Sequence, residues 1–358
     1  MRKLLILLTI IVIMPLFSVI CSAEDRVDEY ISDFEAILPD GFDGLSDPEV
    51  IMKSTGIDSL FSEIISVISD GKADIVGFFL TLLGSVALLS AAALCHERMS
   101  TNAQSIVGVI CSLVIFSSIR PIILNVSDGI TKISGFFASL IPLTVGITAL
   151  GGGGATASAQ AVGMYTSLSL VGGMAGQIFL SLSSFGLAMS LLSSVGGEGI
   201  ASVCSGFRGL FNWVTGIFTA LLTAAFSLQT LVASSIDSAS MRAIKYAASG
   251  LIPVVGSTVS GAISTLASGV SYAKGIVGGG AIAVILYMVI SPLALLLIYR
   301  LALSLAMIFS DYSGGKIASR IFSSYRFALD MTVTVYSLSA LVYLFEIIIF
   351  IRIGVAAL

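Results

Sequence analysis

The chain has little of what water-soluble proteins and enzymes depend on. Only 11% of its 358 residues are charged and 56% are apolar, whereas soluble domains average about 25% charged and about 45–50% apolar residues. It has a single histidine, no H-E-x-x-H sequence and no G-K-[ST] sequence, so neither a zinc hydrolase nor a P-loop nucleotide site is indicated. We expect an integral membrane protein that is not an enzyme and holds neither cofactor nor metal.

Cysteine is scarce as well. The four cysteines, Cys21, Cys95, Cys111 and Cys204, are isolated from one another, with no C-x-x-C spacing. Neither a metal site nor a disulfide framework is readable from them. They are interpreted as free thiols that pack as small hydrophobic side chains.

Charge is distributed unevenly and divides the chain into three parts. Residues 1–23 have Arg2 and Lys3, an apolar stretch and a C-S-A ending, which is typical of a cleaved signal peptide. An uncleaved anchor helix is the alternative, and a lipoprotein signal through Cys21 is disfavoured by the bulky Ile20. Residues 24–74 hold fourteen acidic and three basic residues, which indicates an extracytoplasmic acidic region. Residues 75–358 form the predicted polytopic domain.

The acidic region is expected to form three short helices. Val27, Tyr30, Ile31, Phe34 and Ile37 recur at the spacing of one helix face, a second helix begins near Pro48, and a third covers 57–69. About fifty residues seldom bury enough apolar surface to fold strongly alone. We therefore expect this region to dock on the membrane part or on a partner protein.

From residue 75 onward, apolar stretches are long enough to cross a bilayer, which takes about 20 residues. We predict an all-α fold with seven or eight transmembrane helices, some of them kinked or re-entrant. The signal peptide and the basic residues place the loops 96–104, 151–160, 237–249 and 300–326 on the cytoplasmic side. The predicted spans are 75–95, 105–124, 133–150, 161–194, 211–235, 250–272, 276–299 and 327–350.

Two stretches combine proline and glycine within apolar sequence. ASLIPLTVGITALGGGGATASA (138–159) and SGLIPVVGSTVSGAISTLASG (249–269) share an L-I-P core, with Pro142 and Gly146 in one and Pro253 and Gly256 in the other. Proline inside a helix frees backbone groups that must be buried in protein or line a wet cavity. Interrupted helices in two halves point to a transport pathway near the midplane.

Helix packing alone is the competing interpretation of these small residues. Gly172 with Gly176, and Gly275 with Gly279, show the G-x-x-x-G spacing that lets membrane helices approach closely. The sequence does not decide between a pathway and packing.

Ionisable residues within a span are functional hypotheses, and the last span contains Asp330 and Glu346. They lie about 24 Å apart along one helix, at about 1.5 Å per residue, so they cannot form a paired carboxylate site. We interpret both as positioned near the membrane interface, with Arg352 or a basic residue of another helix as a possible partner of Glu346.

The stretch IKYAASGLIPVVGSTVSGAISTLASGVSYAKGIVG (244–278), together with SGFFASLIPLTVGITALGGGGATASA (134–159), resembles the stage III sporulation protein AE family. The resemblance covers essentially the whole chain. It implies a multi-pass subunit, in the mother-cell (outer forespore) membrane, of the channel-like secretion complex that links mother cell and forespore. Its implied partners are the lipid bilayer, the other membrane subunits and a separate ATPase subunit, without nucleic acid. The matching positions are Lys245, Pro253, Gly256 and Lys274, and the family assigns them no catalytic role.

Three functions remain open from the sequence. The first is a permease-like conduit subunit with the two proline-glycine segments along its path. The second is a non-conducting scaffold that recruits other subunits. The third is a secondary transporter of a small solute, whose candidate residues are Asp330, Gln177 and Gln229.

Overall fold

The protein is described from a computed structural model. The residues that it describes are 26–39, 42, 45, 47–54, 56–94, 101–151, 154–173, 180–195, 202–203, 205–220, 222–224, 226–227, 229, 256–312 and 316–352. The predicted signal peptide, Lys245 and Pro253 lie outside these residues, as does Gln177.

Every regular element in the described part of the chain is a helix, so the all-α class is confirmed. Three short helices make up the acidic region, as the periodicity predicts, and Asp47 caps the second by accepting a hydrogen bond from the Glu49 amide at 2.9 Å. The helices are α1 (26–37), α2 (Pro48–Ser54), α3 (Ile57–Asp70), α4 (Lys72–Leu94), α5 (Thr101–Leu150), α6 (Gly154–Gly173), α7 (Leu180–Val195), α8 (205–220), α9 (Gly256–Tyr312) and α10 (Lys316–Arg352).

Four helices are long and apolar enough to cross a membrane, which supports the membrane class, but the count of seven or eight spans is not confirmed. Several predicted loops are helical: α5 runs through 125–132, α9 runs through 273–275, and α9 and α10 occupy nearly all of 300–326. The predicted loop at 300–326 is therefore wrong. The four apolar helical segments are Lys72–Ala92, Ile106–Leu150, Ala267–Tyr312 and Ile317–Arg352.

The centre of the bundle is the antiparallel pair α9 and α10. Gly278 packs against Ile351, and the Tyr336 hydroxyl donates to the Met288 carbonyl at 3.1 Å, so residue numbers rise along α9 as they fall along α10. Arg300 and Asp330 continue the same register.

Helices α4 and α5 pack beside this pair through aromatic side chains. Phe78 of α4 stacks on Tyr299 of α9 with ring centroids 4.4 Å apart. Phe137 of α5 stacks on Tyr343 of α10 at 4.3 Å, and the Tyr325 hydroxyl donates to the Ser112 carbonyl at 2.7 Å. Stacked pairs of this kind add roughly 0.5–1.5 kcal/mol beyond the apolar area that they bury.

The acidic region packs on the polytopic part of the chain, which is one of the two outcomes expected from the sequence. The Tyr30 side chain lies on Gly146 of α5, Phe34 lies on Gly280 of α9, and Ile51 lies on Gly279. Because glycine has no side chain, these positions leave room for a neighbouring side chain. The outward side of α1 exposes Asp28, Glu29 and Asp33.

Candidate functional site

Asp330 lies between two arginines rather than alone in a span. Its Oδ1 accepts a hydrogen bond from Arg300 Nε of α9, and its Oδ2 lies 3.9 Å from Arg326 Nε one turn earlier on α10. The three side chains are each about one-third exposed. The sequence placed both arginines in a loop, so this ion-pair cluster was missed. The continuation of α9 to Tyr312 brings Arg300 level with Asp330.

Glu346 is buried, and its two partners come from distant parts of the chain. Ser167 of α6 donates to Oε1 at 2.6 Å, and Gln229 donates to Oε2 at 3.1 Å. Gly163 makes room for the amide, since a Cβ there would lie 2.0 Å from Gln229 Nε2. The sequence analysis expected Glu346 near the interface with a basic partner. Among the described residues its hydrogen bonds come instead from a hydroxyl and an amide.

The first proline-glycine segment does not interrupt its helix. Helix α5 continues through Pro142 to Leu150. Pro142 is exposed, and Gly146 is covered by the Tyr30 ring, whose hydroxyl would lie 2.7 Å from an added Cβ. Two residues beyond, the buried Thr148 donates to Gln160 Oε1 at 2.7 Å. This part of the first segment therefore contacts α1 on one side and packs against α6 on another.

Of the second segment, Gly256 is the first residue of α9, and Pro253 lies outside the described part. Farther along α9, the two glycines of the predicted close-packing pair differ. Gly279 faces Ile51, whereas an added Cβ at Gly275 would meet nothing within 4 Å. Lys274, directly before Gly275, is buried, with its ammonium 5.6 Å from the centroid of the Phe350 ring, a distance at which a cation is attracted to an aromatic face.

A groove lined by apolar and hydroxyl side chains, which the sequence analysis missed, lies along α8 and its continuation, against α10. Its volume is about 860 Å³. Three of its hydroxyl groups, those of Thr219, Thr223 and Ser227, donate to the carbonyl four residues earlier. The sequence does contain a signal for this groove, because the hydroxyl residues Thr215, Thr219, Thr223 and Ser227 recur at every fourth position of an apolar stretch. The lining residues are Phe211, Asn212, Thr215, Gly216, Thr219, Ala220, Thr223, Ala224, Ser227 and Thr334.

Comparisons with known proteins agree with the sequence resemblance. A family model described as stage III sporulation protein AE matches residues 51–356. A stage III sporulation protein AE from Bacillus subtilis (strain 168) is 22% identical over 308 residues, which cover 82% of this chain and 76% of that protein. No solved structure matches the chain. The family match spans most of the chain, from α2 to beyond the end of α10. The chain therefore belongs to the stage III sporulation protein AE family.

Proposed function

We propose that the protein is a non-enzymatic membrane subunit of the sporulation complex that connects mother cell and forespore, where it contributes a permease-like wall to a conduit. Its place is the mother-cell (outer forespore) membrane, beside other membrane subunits and a separate ATPase subunit. Family membership and the four long apolar helices support the sporulation and membrane parts of this proposal. The conduit itself is our inference.

The groove along α8 is the observation that carries the conduit. Backbone polar groups of a helix are already paired, so polarity on a membrane helix has to come from side chains. Here Asn212, Thr215, Thr219 and Thr223 share one side of the helix and line the groove. Their uncharged hydroxyl and amide groups can hydrogen-bond water or a hydrated solute without retaining an ion. In contrast, the positions Gly146 and Gly280 are filled by rings of the acidic region.

Thiol labelling separates the groove from the proline-glycine path. In a cysteine-free chain within intact cells, T215C, whose side chain lines the groove, should react with a membrane-impermeant thiol reagent, while T148C should be protected because Thr148 is buried against Gln160. Labelling of T148C with protection of T215C would move the path to the proline-glycine segment. Protection of both would remove the support for a conduit.

A functional test fills the groove. T219L and T223L place larger apolar side chains in it, and spore yield should fall when the variant is the host's sole copy of this subunit. V214L adds similar bulk on the exposed apolar side of α8, outside the groove lining, and should leave spore yield unchanged. Normal sporulation of T219L/T223L would contradict the proposed path.

A non-conducting scaffold is the second candidate, and the filling of Gly146 and Gly280 by side chains favours it. In that case the exposed carboxylates of α1 are the natural contact for partners. Replacing Asp28, Glu29 and Asp33 with Asn, Gln and Asn should then abolish capture of the other subunits, although the groove is untouched. A conduit subunit held by its membrane helices should keep both capture and spore yield.

The transporter alternative depends on Asp330. In the structure this carboxylate is paired with Arg300, which suits a fixed ion pair better than a site that gains and loses a proton or sodium ion. The Asp330→Asn variant should therefore support spore formation, and loss of spores with an intact, normally assembled protein would favour ion coupling.

A further inference from the structure

The two longest helices are too long for one membrane crossing. Helix α5 has 50 residues and α9 has 57, or about 75 Å and about 85 Å at 1.5 Å per residue. The hydrocarbon core of a bilayer is about 30 Å thick. Only part of each helix can lie in lipid, and the pattern of exposed side chains identifies which part.

Helix α9 changes character near Leu297. Between residues 273 and 296 the only exposed residue is Gly275. From there onward an exposed apolar stripe follows one side of the helix: Leu297, Leu301, Leu305, Ile308 and Phe309. Residues 273–296 are thus enclosed by protein, while the helix from Leu297 onward offers an uncovered apolar surface.

Helix α5 shows the reverse order along the chain. Its exposed large apolar side chains all lie between Ile106 and Leu124. The exposed side chains that follow at once are polar or charged: Asn125, Asp128, Thr131 and Lys132. Asp128 and Lys132 form an ion pair of 2.9 Å with both side chains exposed, an arrangement that belongs in water.

Helices α4 and α8 change in the same way. The charged residues Lys72 and Asp74 open α4, and the exposed side chains after them are mainly apolar, beginning with Val76 and Leu80. On α8 the exposed apolar side chains Leu210, Trp213, Val214 and Ile217, interspersed with the exposed Arg208 and Asn212, precede the exposed small side chains Thr219, Ala220, Thr223, Ala224 and Ser227.

These four changes occur at one level of the bundle. Gly71, at the start of α4, lies against Leu295 of α9. Gly129 of α5 lies against Pro292 of α9 and Tyr336 of α10. The groove that Thr219 lines also has Thr334 of α10 in its lining, two residues from Tyr336. The plane through these contacts has most of the large exposed apolar side chains of α4, α5, α8 and α9 on one side. The same side holds the exposed Arg120 and also Arg208, which donates to the Ser323 carbonyl and lies over the Phe327 ring.

We propose that the bilayer surrounds only the part of the bundle on the apolar side of this plane, which we call the lipid belt: α4, residues 106–124 of α5, 205–217 of α8 and 297–312 of α9. The 18-residue rise from Ile106 to Leu124 is about 27 Å, close to the thickness of the hydrocarbon core. The remainder of α5 and α9 projects into water with the acidic region packed on it.

The acidic region supports this placement independently. Helix α1 packs on Gly146 and Gly280, on the polar side of the plane, and exposes Asp28, Glu29 and Asp33. Charged side chains in hydrocarbon are costly and are rarely found facing lipid. A bilayer at the level of Gly280 would surround these carboxylates, whereas the lipid belt leaves them in water.

The competing placement centres on α10. Leu341, Phe345 and Ile348 are exposed on it, and they lie beyond the plane, because the adjacent Ile351 packs on Gly278. A bilayer there would immerse the level at which Ile51 and Phe34 of the acidic region pack on Gly279 and Gly280. The two placements are mutually exclusive for a 30 Å core, so one measurement separates them. Neither depends on the conduit proposed above.

The chain has a single tryptophan, and Trp213 is 65% exposed within the lipid belt. The full-length protein is reconstituted into phosphatidylcholine vesicles with or without bromine on the acyl chains, and tryptophan fluorescence is compared. We expect the brominated lipid to quench Trp213 and the aqueous quencher iodide to have little effect. The reverse result would overturn the proposal.

Two matched variants test both levels with the same probe. In W213F/L301W the tryptophan replaces a residue of the lipid belt, and in W213F/F345W it replaces a residue of the competing surface. Quenching by brominated lipid in the first and by iodide in the second supports the lipid belt. Quenching by brominated lipid in W213F/F345W overturns it, whether or not W213F/L301W is also quenched. Native Trp213 needs no substitution, so a variant that fails to fold does not remove the test.

Discussion

Pro292 and Tyr336 form a compensating pair that can be tested quantitatively. A proline at 292 has no amide hydrogen to donate to the carbonyl of Met288, four residues earlier in α9. The Tyr336 hydroxyl of α10 donates to that carbonyl at 3.1 Å, and Tyr336 is fully buried. Gly129 of α5 lets the ring and Pro292 approach. The tyrosine thus supplies the hydrogen bond that the proline removes.

A double-mutant cycle measures this compensation. Y336F should destabilise the protein by about 1–3 kcal/mol, because a buried carbonyl loses its partner. P292A restores an amide donor within α9, so in that background Y336F should cost about 1 kcal/mol or less. The expected coupling between the two sites is about 1–2 kcal/mol, measured as the change in free energy of unfolding of the full chain in mixed micelles.

Tyr325 provides the control on the same helix. It is equally buried and donates to the Ser112 carbonyl at 2.7 Å, but no proline lies four residues after Ser112. The cost of Y325F should therefore be the same with and without P292A. If Y336F also costs the same in both backgrounds, the tyrosine does not compensate for the proline and the reasoning fails.

Three further outcomes follow from contacts described above. G280A should raise the amide exchange rate of residues 26–37 by about 5- to 30-fold, because an added Cβ would lie 2.6 Å from the buried Phe34 ring and about 1–2 kcal/mol of docking free energy is lost. G275A is the control, since its added methyl meets nothing within 4 Å. The same increase in both variants would contradict this prediction. E346L should destabilise the protein by about 2–4 kcal/mol because two donors lose their acceptor, and E346Q by less; equal unfolding free energies for the two variants would refute the hydrogen-bonded role. R300Q should cost about 3–5 kcal/mol, because Arg300 lies in the proposed lipid belt and its loss leaves the Asp330 carboxylate there without this partner; a loss of only about 1 kcal/mol would mean that the pair faces water.

Among the predicted spans, hydropathy located the four long apolar helices of the described chain but misplaced their ends. Asp128 and Lys132 lower the hydropathy of 125–132, which suggested a loop between two spans. The helix nevertheless continues, because the two charges are exposed on one side and form an i,i+4 pair that supports helix. Lys274 likewise suggested a break between the predicted spans 250–272 and 276–299, although it lies within α9 and is buried beside Phe350. Hydropathy reports the environment that a segment prefers and not where its backbone hydrogen bonds end.

The sequence also identified Asp330 and Glu346 as notable, and it could not supply their partners. Ser167 and Gln229 are 179 and 117 residues from Glu346, and only the packing of α6 and α8 against α10 brings them together. The periodicity of the acidic region predicted its helices well, because one apolar side per helix is a local property. Which glycine each ring would occupy depends on the fold of the whole bundle.

The glycines and prolines of the membrane domain therefore have several different structural roles, and composition alone does not tell these roles apart. Gly146 and Gly280 accept rings from the acidic region, and Gly163 accepts the Gln229 amide. Pro292 frees a carbonyl that a tyrosine then satisfies. Under the proposed placement of the bilayer, Pro142 projects into water, where the Ala138 carbonyl that lacks an amide donor because of the proline can be hydrated. No membrane-embedded break is then needed. The groove beside Thr219 then begins at the edge of the lipid belt, where a hydrated path would have to enter the membrane.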